Sequence, residues 1–331
     1  MAPLLTLNQV SKRFVKKRGV VATLAQKFGG GAALETVHAV DNVSLTINEG
    51  EVVGLVGESG CGKSTLGRIV VGLHAPTSGE KIWRGKRVAE MTALEKRTMQ
   101  LEGQMIFQDP YASLNPRYRV EDIIGEAPIV HKLIRANEKT EAVAALMQQV
   151  GLDASLAKRF PHQFSGGQRA RIGIARALAV KPKFIVCDEA VAALDVSIQA
   201  QVLNLFIELR EQLKLTYLFI SHDLGVVHHI ADRVVVMYLG RVVEEGPTVT
   251  LFASPQHPYT QALLKEIPSL SARKKDFVAV TGEIPSPLNP PTGCHFHPRC
   301  IHAMPRCSVE SPGLKQIAPM RYAACHLHET T

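Results

Sequence analysis

The spacing of apolar side chains predicts the first strands of the chain. Residues 4–10 and 37–48 have the composition of strands, and apolar and polar positions alternate through 40–47 as on a sheet with one buried face. Between these strands, Val15–Thr36 is basic and rich in glycine, so we expect a mobile loop there.

The next part of the chain has the pattern of an α/β domain. The apolar run 51–56 predicts a buried strand, which leads through a glycine-rich turn into an amphipathic helix. Strands and helices then alternate to about residue 245, with helical spacing through 120–160, which favours a mostly parallel sheet covered on both faces. We therefore expect one α/β domain over residues 1–250.

The composition changes near residue 250. Proline becomes dense, regular periodicity fades, and cysteine and histidine cluster. This change predicts a second, small and loop-rich module over 251–331.

Overall composition excludes several classes of protein. Hydrophobic residues make up 46% of the 331 positions, which argues against global disorder. No apolar run approaches the roughly 18 residues that a membrane-spanning helix needs. The first residues, 1–7, lack the basic and apolar regions of an export signal. We expect the chain to stay in the cytoplasm and to meet a membrane only through a partner.

The net charge of +8, from 38 basic and 30 acidic residues, permits contact with nucleic acid or an anionic membrane. However, no dense run of lysine and arginine interleaved with aromatic residues occurs. A solvated basic surface is therefore favoured, and nucleic acid is not expected as a partner.

Residues 57–64 read GESGCGKS and match the phosphate-binding pattern G-x-x-x-x-G-K-[ST], after a buried strand and before a helix. Glycines let backbone N–H groups turn towards phosphates, and the helix N-terminus adds a favourable dipole. Lys63 is expected to reach the β and γ phosphates, and Ser64 to bind Mg²⁺. The predicted nucleotide-binding residues here are Gly57, Glu58, Ser59, Gly60, Cys61, Gly62, Lys63, Ser64 and Thr65, with Cys61 expected to contribute only its backbone.

A second apolar strand, 184–187, is followed by Asp188 and Glu189. Asp188 is placed to hold Mg²⁺, directly or through water. Glu189 follows it and is a candidate general base for the attacking water. A Mg²⁺–nucleotide site needs oxygen ligands from a second segment besides the phosphate loop, and this acidic pair can supply them.

Residues 164–169 read FSGGQR and precede an apolar-periodic helix. Serine and two glycines at a helix start form a second anion cradle, for which a single chain has no second nucleotide. This stretch resembles the signature of the ABC ATPase family, Leu-Ser-Gly-Gly-Gln, with Phe164 in place of leucine. The resemblance implies that the cradle closes over the nucleotide of an opposite subunit; a plain helix cap would not explain both glycines. The cradle residues are Ser165, Gly166, Gly167 and Gln168.

Further positions resemble the family's other elements. Gln108 resembles the Q-loop glutamine, which contacts Mg²⁺ and water and senses the membrane partner, and His222 resembles the switch histidine that contacts the γ-phosphate. Asp195 resembles the D-loop aspartate, although Ala192 stands where the family more often has serine. Phe14 matches the aromatic residue that stacks on adenine, with a core phenylalanine as the alternative.

The resemblance also implies a fold and a catalytic set. The fold is a P-loop NTPase of the ABC type, with a mostly parallel sheet, an antiparallel β subdomain and a helical subdomain over about 108–180. The implied catalytic residues are Glu189, His222 and Gln108, and the implied Mg²⁺ ligands are Ser64, Gln108 and Asp188.

Four stretches, 108–117, 189–199, 257–264 and 290–300, resemble ATPases of dipeptide and oligopeptide importers. That family implies a second ATPase subunit, identical or homologous, two integral-membrane permeases and an extracytoplasmic solute-binding protein. It places the chain on the cytoplasmic face of the membrane, and its solutes include peptides, glutathione, nickel chelates and opines. The alternatives are a soluble ABC ATPase acting on nucleic acid or ribosomes, and a module that binds nucleotide without turnover.

Cys294, Cys300, Cys307 and Cys325 follow the spacing C-x5-C-x6-C-x17-C within the proline-rich segment. Disulfides are disfavoured in the cytoplasm, which leaves a metal site as the staple for a small module. We expect a [4Fe–4S] cluster, as in some ATPases that this chain resembles; zinc and unmetallated thiols are the alternatives. The nearby histidines, His295, His297, His302, His326 and His328, are expected to be neighbours or solvent-facing groups. Because this segment lies far along the chain from the nucleotide motifs, we expect a structural or docking role.

Overall fold

The structure is a computed structural model that describes residues 2–15, 35–265 and 282–329. The loop expected over Val15–Thr36 falls almost entirely outside these ranges. Within them, no helix is both long enough and apolar enough to cross a membrane.

The centre of the molecule is an eight-stranded sheet. Five consecutive strands at one end of the sheet are parallel, and three further strands extend the other end in antiparallel fashion. In spatial order the strands are β11 (Lys315–Ala318), β12 (Arg321–Ala323), β10 (Arg241–Pro247), β9 (Arg233–Tyr238), β3 (Val52–Val56), β8 (Thr216–Ile220), β7 (Phe184–Asp188) and β6 (Gly103–Ile106).

A four-stranded antiparallel sheet covers one side of the central sheet. It has the order β2 (Thr36–Asn48), β1 (Pro3–Val15), β4 (Ser78–Trp83) and β5 (Lys86–Arg87). Helix α1 (Lys63–Val71) lies with both sheets in one apolar core, which includes Leu7 and Leu66. The phosphate-loop helix is therefore held from both sides by buried apolar surface.

Helices cover the other side of the central sheet in a second core, which contains Phe206 and Tyr217. Part of this layer is a helical region over residues 110–178 that packs beside the sheet. The remaining α-helices are α2 (Ala93–Glu102), α3 (Pro110–Ser113), α4 (Val120–Val130), α5 (Lys139–Gln149), α6 (Gly166–Leu178), α7 (Val196–Leu213), α8 (Leu224–Ile230), α9 (Thr248–Ala253), α10 (Pro258–Lys265) and α11 (Pro305–Val309).

The last part of the chain packs onto the α/β domain. Strands β11 and β12 continue the central sheet through pairing with β10. Tyr259 of α10 and Phe296 are buried in the same core as the central strands. The C-terminal residues therefore share the core of the α/β domain.

Candidate nucleotide site

The carboxyl ends of four neighbouring parallel strands, β3, β8, β7 and β6, meet at one edge of the central sheet. A cavity of about 560 Å³ opens there, which is a typical size for a site that binds a small molecule. Among the described residues, its lining consists of Phe14, Val37, Ala39, Ser59, Gly60, Gly62, Lys63, Ser64, Thr65, Gln108, Glu189, His222 and Pro287. Motifs from four separate segments of the sequence thus meet in one cavity.

The phosphate loop has a backbone that only glycine can adopt at key points. Gly57 and Gly62 have φ angles of 148° and 106°, and a Cβ atom at Gly62 would lie 2.1 Å from the carbonyl oxygen of Ala39. Helix α1 begins at Lys63 without a side-chain cap, so its first N–H groups face the cavity as an anion-binding helix terminus.

Lys63 is buried, and its ammonium group is held by the loop itself. Its Nζ donates to the carbonyl oxygens of Gly57, at 2.7 Å, and Glu58, at 3.0 Å. Cys61 is also buried, and burial raises the pKa of its thiol, so it is a neutral packing group in this loop. The loop is thus organised around a cation that can face phosphate oxygens.

Ser64 and Asp188 form the corner where Mg²⁺ ligands were predicted. The Ser64 hydroxyl donates to Asp188 Oδ1 at 2.8 Å. Asp188 is 2% exposed, and this burial raises the pKa of its carboxyl above the ordinary value, while the Ser64 hydrogen bond opposes the shift. A hydroxyl and a carboxylate are hard oxygen donors of the kind that Mg²⁺ prefers, and they fit a bound Mg²⁺–nucleotide.

The side chain of Glu189 contacts the other two predicted catalytic side chains. Its Oε2 accepts a hydrogen bond from Gln108 Nε2 at 2.7 Å and lies 3.3 Å from His222 Nδ1. The backbone of Glu189 is left-handed, with a φ angle of 50°, which is unusual for a residue with a side chain. Its N–H donates to the carbonyl oxygen of Ile220 at 3.0 Å, which fixes this conformation between β7 and β8.

Phe14 lies at the other end of the cavity. It is 38% exposed, so the alternative of a core phenylalanine is wrong. Its ring contacts His74 edge-on, with 5.6 Å between centroids. An exposed ring on the wall of a cavity is available for stacking.

The Ser165–Gln168 stretch lies elsewhere on the chain and, within the described ranges, contributes nothing to the lining of this cavity. Ser165 is an exposed helix cap, which accepts a hydrogen bond from the N–H of Gln168, while the Gln168 side chain accepts one from the N–H of Ser165. A Cβ at Gly167 would lie 2.4 Å from Ile198, so packing explains this second glycine. A plain helix cap was not expected to explain both glycines, and for Gly167 the close contact with Ile198 supplies a reason besides the predicted anion cradle.

Gly166 and Asp195 are exposed on the same side of the helical region. A Cβ at Gly166 would lie 3.7 Å from Leu194, the residue before Asp195, so the signature stretch and the D-loop stretch are neighbours. Asp195 also stands outside the cavity lining described above.

The four C-terminal cysteines lie near one another. Burial raises the pKa of Cys325 to about 11, and charge on the other three thiols adds to the shift. Even so, no group of three or more His, Cys, Asp or Glu side chains within the described ranges is arranged to hold a metal ion. This arrangement supports neither the expected [4Fe–4S] cluster nor the zinc alternative.

Three residues near the cavity were missed by reasoning from the sequence. Pro287 lines the cavity, and Tyr259 and Arg299 contact the phosphate loop at Glu58. Tyr259 and Arg299 lie in the stretches 257–264 and 290–300, which carried the resemblance to importer ATPases. Because Tyr259 and Arg299 lie far along the chain from the phosphate loop, no pattern in the sequence indicates that they contact it.

Comparison with known proteins gives two family matches. Residues 40–192 match the ABC transporter family, and residues 243–307 match the C-terminal region of oligopeptide/dipeptide transporters. The chain is 48% identical to the oligopeptide transport ATP-binding protein AppF of Bacillus subtilis, covering 98% of this chain and 97% of that protein. It is 46% identical to the dipeptide transport ATP-binding protein DppF of Haemophilus influenzae, covering 98% and 96%.

Solved structures support the same fold. CbiO1 of Clostridium perfringens, part of an ABC transporter complex, superposes with a TM-score of 0.62 at 25% identity, over 77% of this chain and 92% of that one. A dimeric ATP-binding cassette bound to ADP and phosphate gives a TM-score of 0.61 at 28% identity, over 74% and 98%. The expected P-loop fold is confirmed, and the chain belongs to the ABC transporter ATPases, among the oligopeptide and dipeptide transport ATP-binding proteins.

Proposed function

We propose that this chain binds and hydrolyses ATP to energise an importer of peptides or related small solutes. The observation that carries the proposal is the contact of Gln108 and His222 with Glu189, beside the loop that holds Lys63. An ATPase needs these groups together, because phosphate binding and activation of water must occur at one place.

Each group has a distinct task. Lys63 and the loop N–H groups bind the triphosphate, while Ser64, Asp188 and Gln108 hold Mg²⁺. Mg²⁺, when bound, neutralises charge on the phosphates. Glu189 accepts a proton from the attacking water, and His222 contacts the γ-phosphate. Phe14 stacks on the adenine ring.

The signature stretch would complete the site of a second ATPase subunit, identical or homologous. Two features support this arrangement: Ser165, Gly166 and Asp195 are exposed together, and their own chain's cavity lies elsewhere. ATP bound at one subunit's loop then meets the helix N-terminus of the other, and closure of the pair is coupled to transport.

A groove beside the Q-loop is the proposed docking site of a permease. The groove has a volume of about 440 Å³, and its lining includes Leu73, which is 56% exposed, and Phe107, which is 36% exposed. Apolar side chains at the rim of a groove suit the apolar face of a short helix. This contact would place the chain on the cytoplasmic face of the membrane as a peripheral subunit.

The solute would be chosen by the permeases and an extracytoplasmic binding protein. The names of the relatives point to oligopeptides and dipeptides. The alternative of a soluble ABC ATPase acting on nucleic acid or ribosomes is not favoured, because the relatives extend over the whole chain and are transport proteins.

We also propose that the four C-terminal thiols hold a [4Fe–4S] cluster. In a cubane each thiolate binds a different iron, so the four sulfur atoms stand further apart than around one zinc ion. Burial raises the pKa values of Cys294, Cys300 and Cys325, and the nearby Cys307 thiol adds to each shift, so the four thiols are neighbours, and this proximity supports the proposal.

Glu189→Gln should preserve ATP binding and abolish steady-state hydrolysis. The amide keeps an oxygen that accepts from Gln108 but loses the charge that polarises water. ATP should then hold the subunits as a stable pair, measured by gel filtration alongside phosphate release. Glu90→Gln, on an exposed helix edge, is the control. Turnover at the wild-type rate in the first variant would remove Glu189 from this role.

Ser165→Arg should reduce hydrolysis by about 100-fold or more while the isolated chain still binds ATP, since a lost transition-state contact typically costs that much. The damage should appear only when two subunits meet. Ser155→Arg, also exposed in the helical region, should hydrolyse normally. Loss of ATP binding by the isolated Ser165 variant would contradict a shared site.

A photo-crosslinking residue at Leu73, introduced in cells, should capture an integral-membrane protein that mass spectrometry identifies as a permease. The same residue at Val249, which is 75% exposed on helix α9, should not capture it. Crosslinks made only to nucleic acid or ribosomes would favour the soluble alternative instead.

Anaerobic purification should yield a brown protein with about four iron atoms per chain. Replacement of any one of the four C-terminal cysteines by serine should bleach it, whereas Cys61→Ser should leave the colour unchanged. A colourless anaerobic preparation with stoichiometric zinc and no iron would refute the cluster.

A further inference from the structure

Two side chains from the C-terminal part of the chain form hydrogen bonds with Glu58 of the phosphate loop. The N–H of Glu58 donates to Tyr259 Oη at 2.8 Å. Arg299 donates from Nη1 to Glu58 Oε2 at 2.7 Å and from Nη2 to Oε1 at 3.0 Å. The main chain and the side chain of one loop residue are therefore both held by residues more than 200 positions away.

The three residues that form these hydrogen bonds are poorly exposed to solvent. Tyr259 is 0% exposed, Arg299 is 8% exposed, and the Glu58 side chain is 20% exposed. A bidentate arginine–carboxylate pair has a fixed geometry, and water screens it little in such a place. Removing one partner would leave the other charge uncompensated beside the phosphate site.

Aromatic packing fixes the position of Arg299. Its Nη1 donates to Tyr238 Oη at 3.4 Å, and its guanidinium carbon lies 5.9 Å from the centre of the Tyr238 ring. Tyr238 in turn packs against Tyr259 and Phe296, with ring centres 4.7 and 5.2 Å apart. Tyr259 and Arg299 thus belong to one buried cluster around Tyr238 of strand β9.

Glu58 joins this cluster to the phosphate-binding lysine. The carbonyl oxygen of Glu58 accepts from Lys63 Nζ, while its N–H is used by Tyr259. A shift of Glu58 would therefore move the acceptor that positions the lysine. Moreover, an unpaired carboxylate here would repel the triphosphate, which carries several negative charges.

The same part of the chain reaches the opposite end of the cavity. The N–H of His38 donates to the carbonyl oxygen of Pro287 at 3.0 Å, and Pro287 lines the cavity that Phe14 also lines. The C-terminal segment therefore contacts the nucleotide site at two ends, although it lies far along the chain from the nucleotide motifs.

We propose that Arg299 and Tyr259 are positioning residues for ATP binding, and that the C-terminal segment is a working part of the nucleotide site. Arg299 neutralises Glu58 and holds the loop in the shape that receives phosphates. The inference rests on the proposed binding of ATP at this loop.

The test measures the dissociation constant of MgATP for the full chain with Arg299→Gln, Glu58→Gln and the double variant. Arg299→Gln should weaken binding about tenfold, the effect of one unneutralised charge near the phosphates. The double variant should recover most of that loss, because the repelling carboxylate is gone. In hydrolysis assays the loss should appear in KM for ATP more than in kcat. Arg306→Gln, whose guanidinium pairs with Glu310 and Glu329 in the same segment, is the matched control.

Equal ATP affinity of the wild type and Arg299→Gln would overturn the proposal, and so would a double variant as weak as the single one. If Arg299→Gln does not fold, Arg299→Lys is measured with and without Glu58→Gln by the same criteria. If the wild type itself does not bind ATP, the proposed function is refuted. That result differs from the outcomes above, in which the wild type binds ATP and only the comparison among variants fails.

Discussion

Parallel pairing of four adjacent strands is the constraint on which the rest of the molecule depends. Val52–Val56 pairs with Thr216–Ile220, which pairs with Phe184–Asp188, which pairs with Gly103–Ile106. Because the strands run in one direction, the residues that follow them emerge at one edge. The phosphate loop, His222, the pair Asp188 and Glu189, and Gln108 are neighbours for that reason.

Helix α1 and the loop before it pack closely against that edge. A Cβ atom at Gly67 would lie 2.8 Å from the end of Ile220, and one at Gly57 would lie 2.1 Å from the carbonyl oxygen of Met237. The loop therefore lies at backbone distance from strand β9, which only glycine permits, while the helix packs closely on side chains of the neighbouring strands. The hydrogen bond from Ser64 to Asp188 joins the helix to the acidic strand end across the same contact.

Much of this arrangement could be predicted from the sequence, because it is encoded locally. The loop around Lys63 and the strand before Glu189 carry their chemistry in short contiguous patterns, and their strand ends show which edge they share. The family resemblance supplied Gln108, His222 and Phe14. The path of the C-terminal segment could not be predicted in this way, because a pair such as Arg299 and Glu58, 241 residues apart, leaves no periodic signal. The packing of Gly167 against Ile198 could not be predicted for a similar reason, since this contact is tertiary.

The separation of the exposed Ser165 surface from the Lys63 loop on one chain has a genetic consequence. In the proposed pair, when it is built from two copies of this chain, each site takes its loop from one copy and its signature stretch from the other. When an allele damaged at Lys63 is expressed with an allele damaged at Ser165, both lesions fall in the same site of the mixed pair, and the other site is intact. Two inactive alleles can therefore complement each other. A single allele that carries both lesions cannot be complemented in this way, because its chain contributes a damaged half to each site of any pair that it forms.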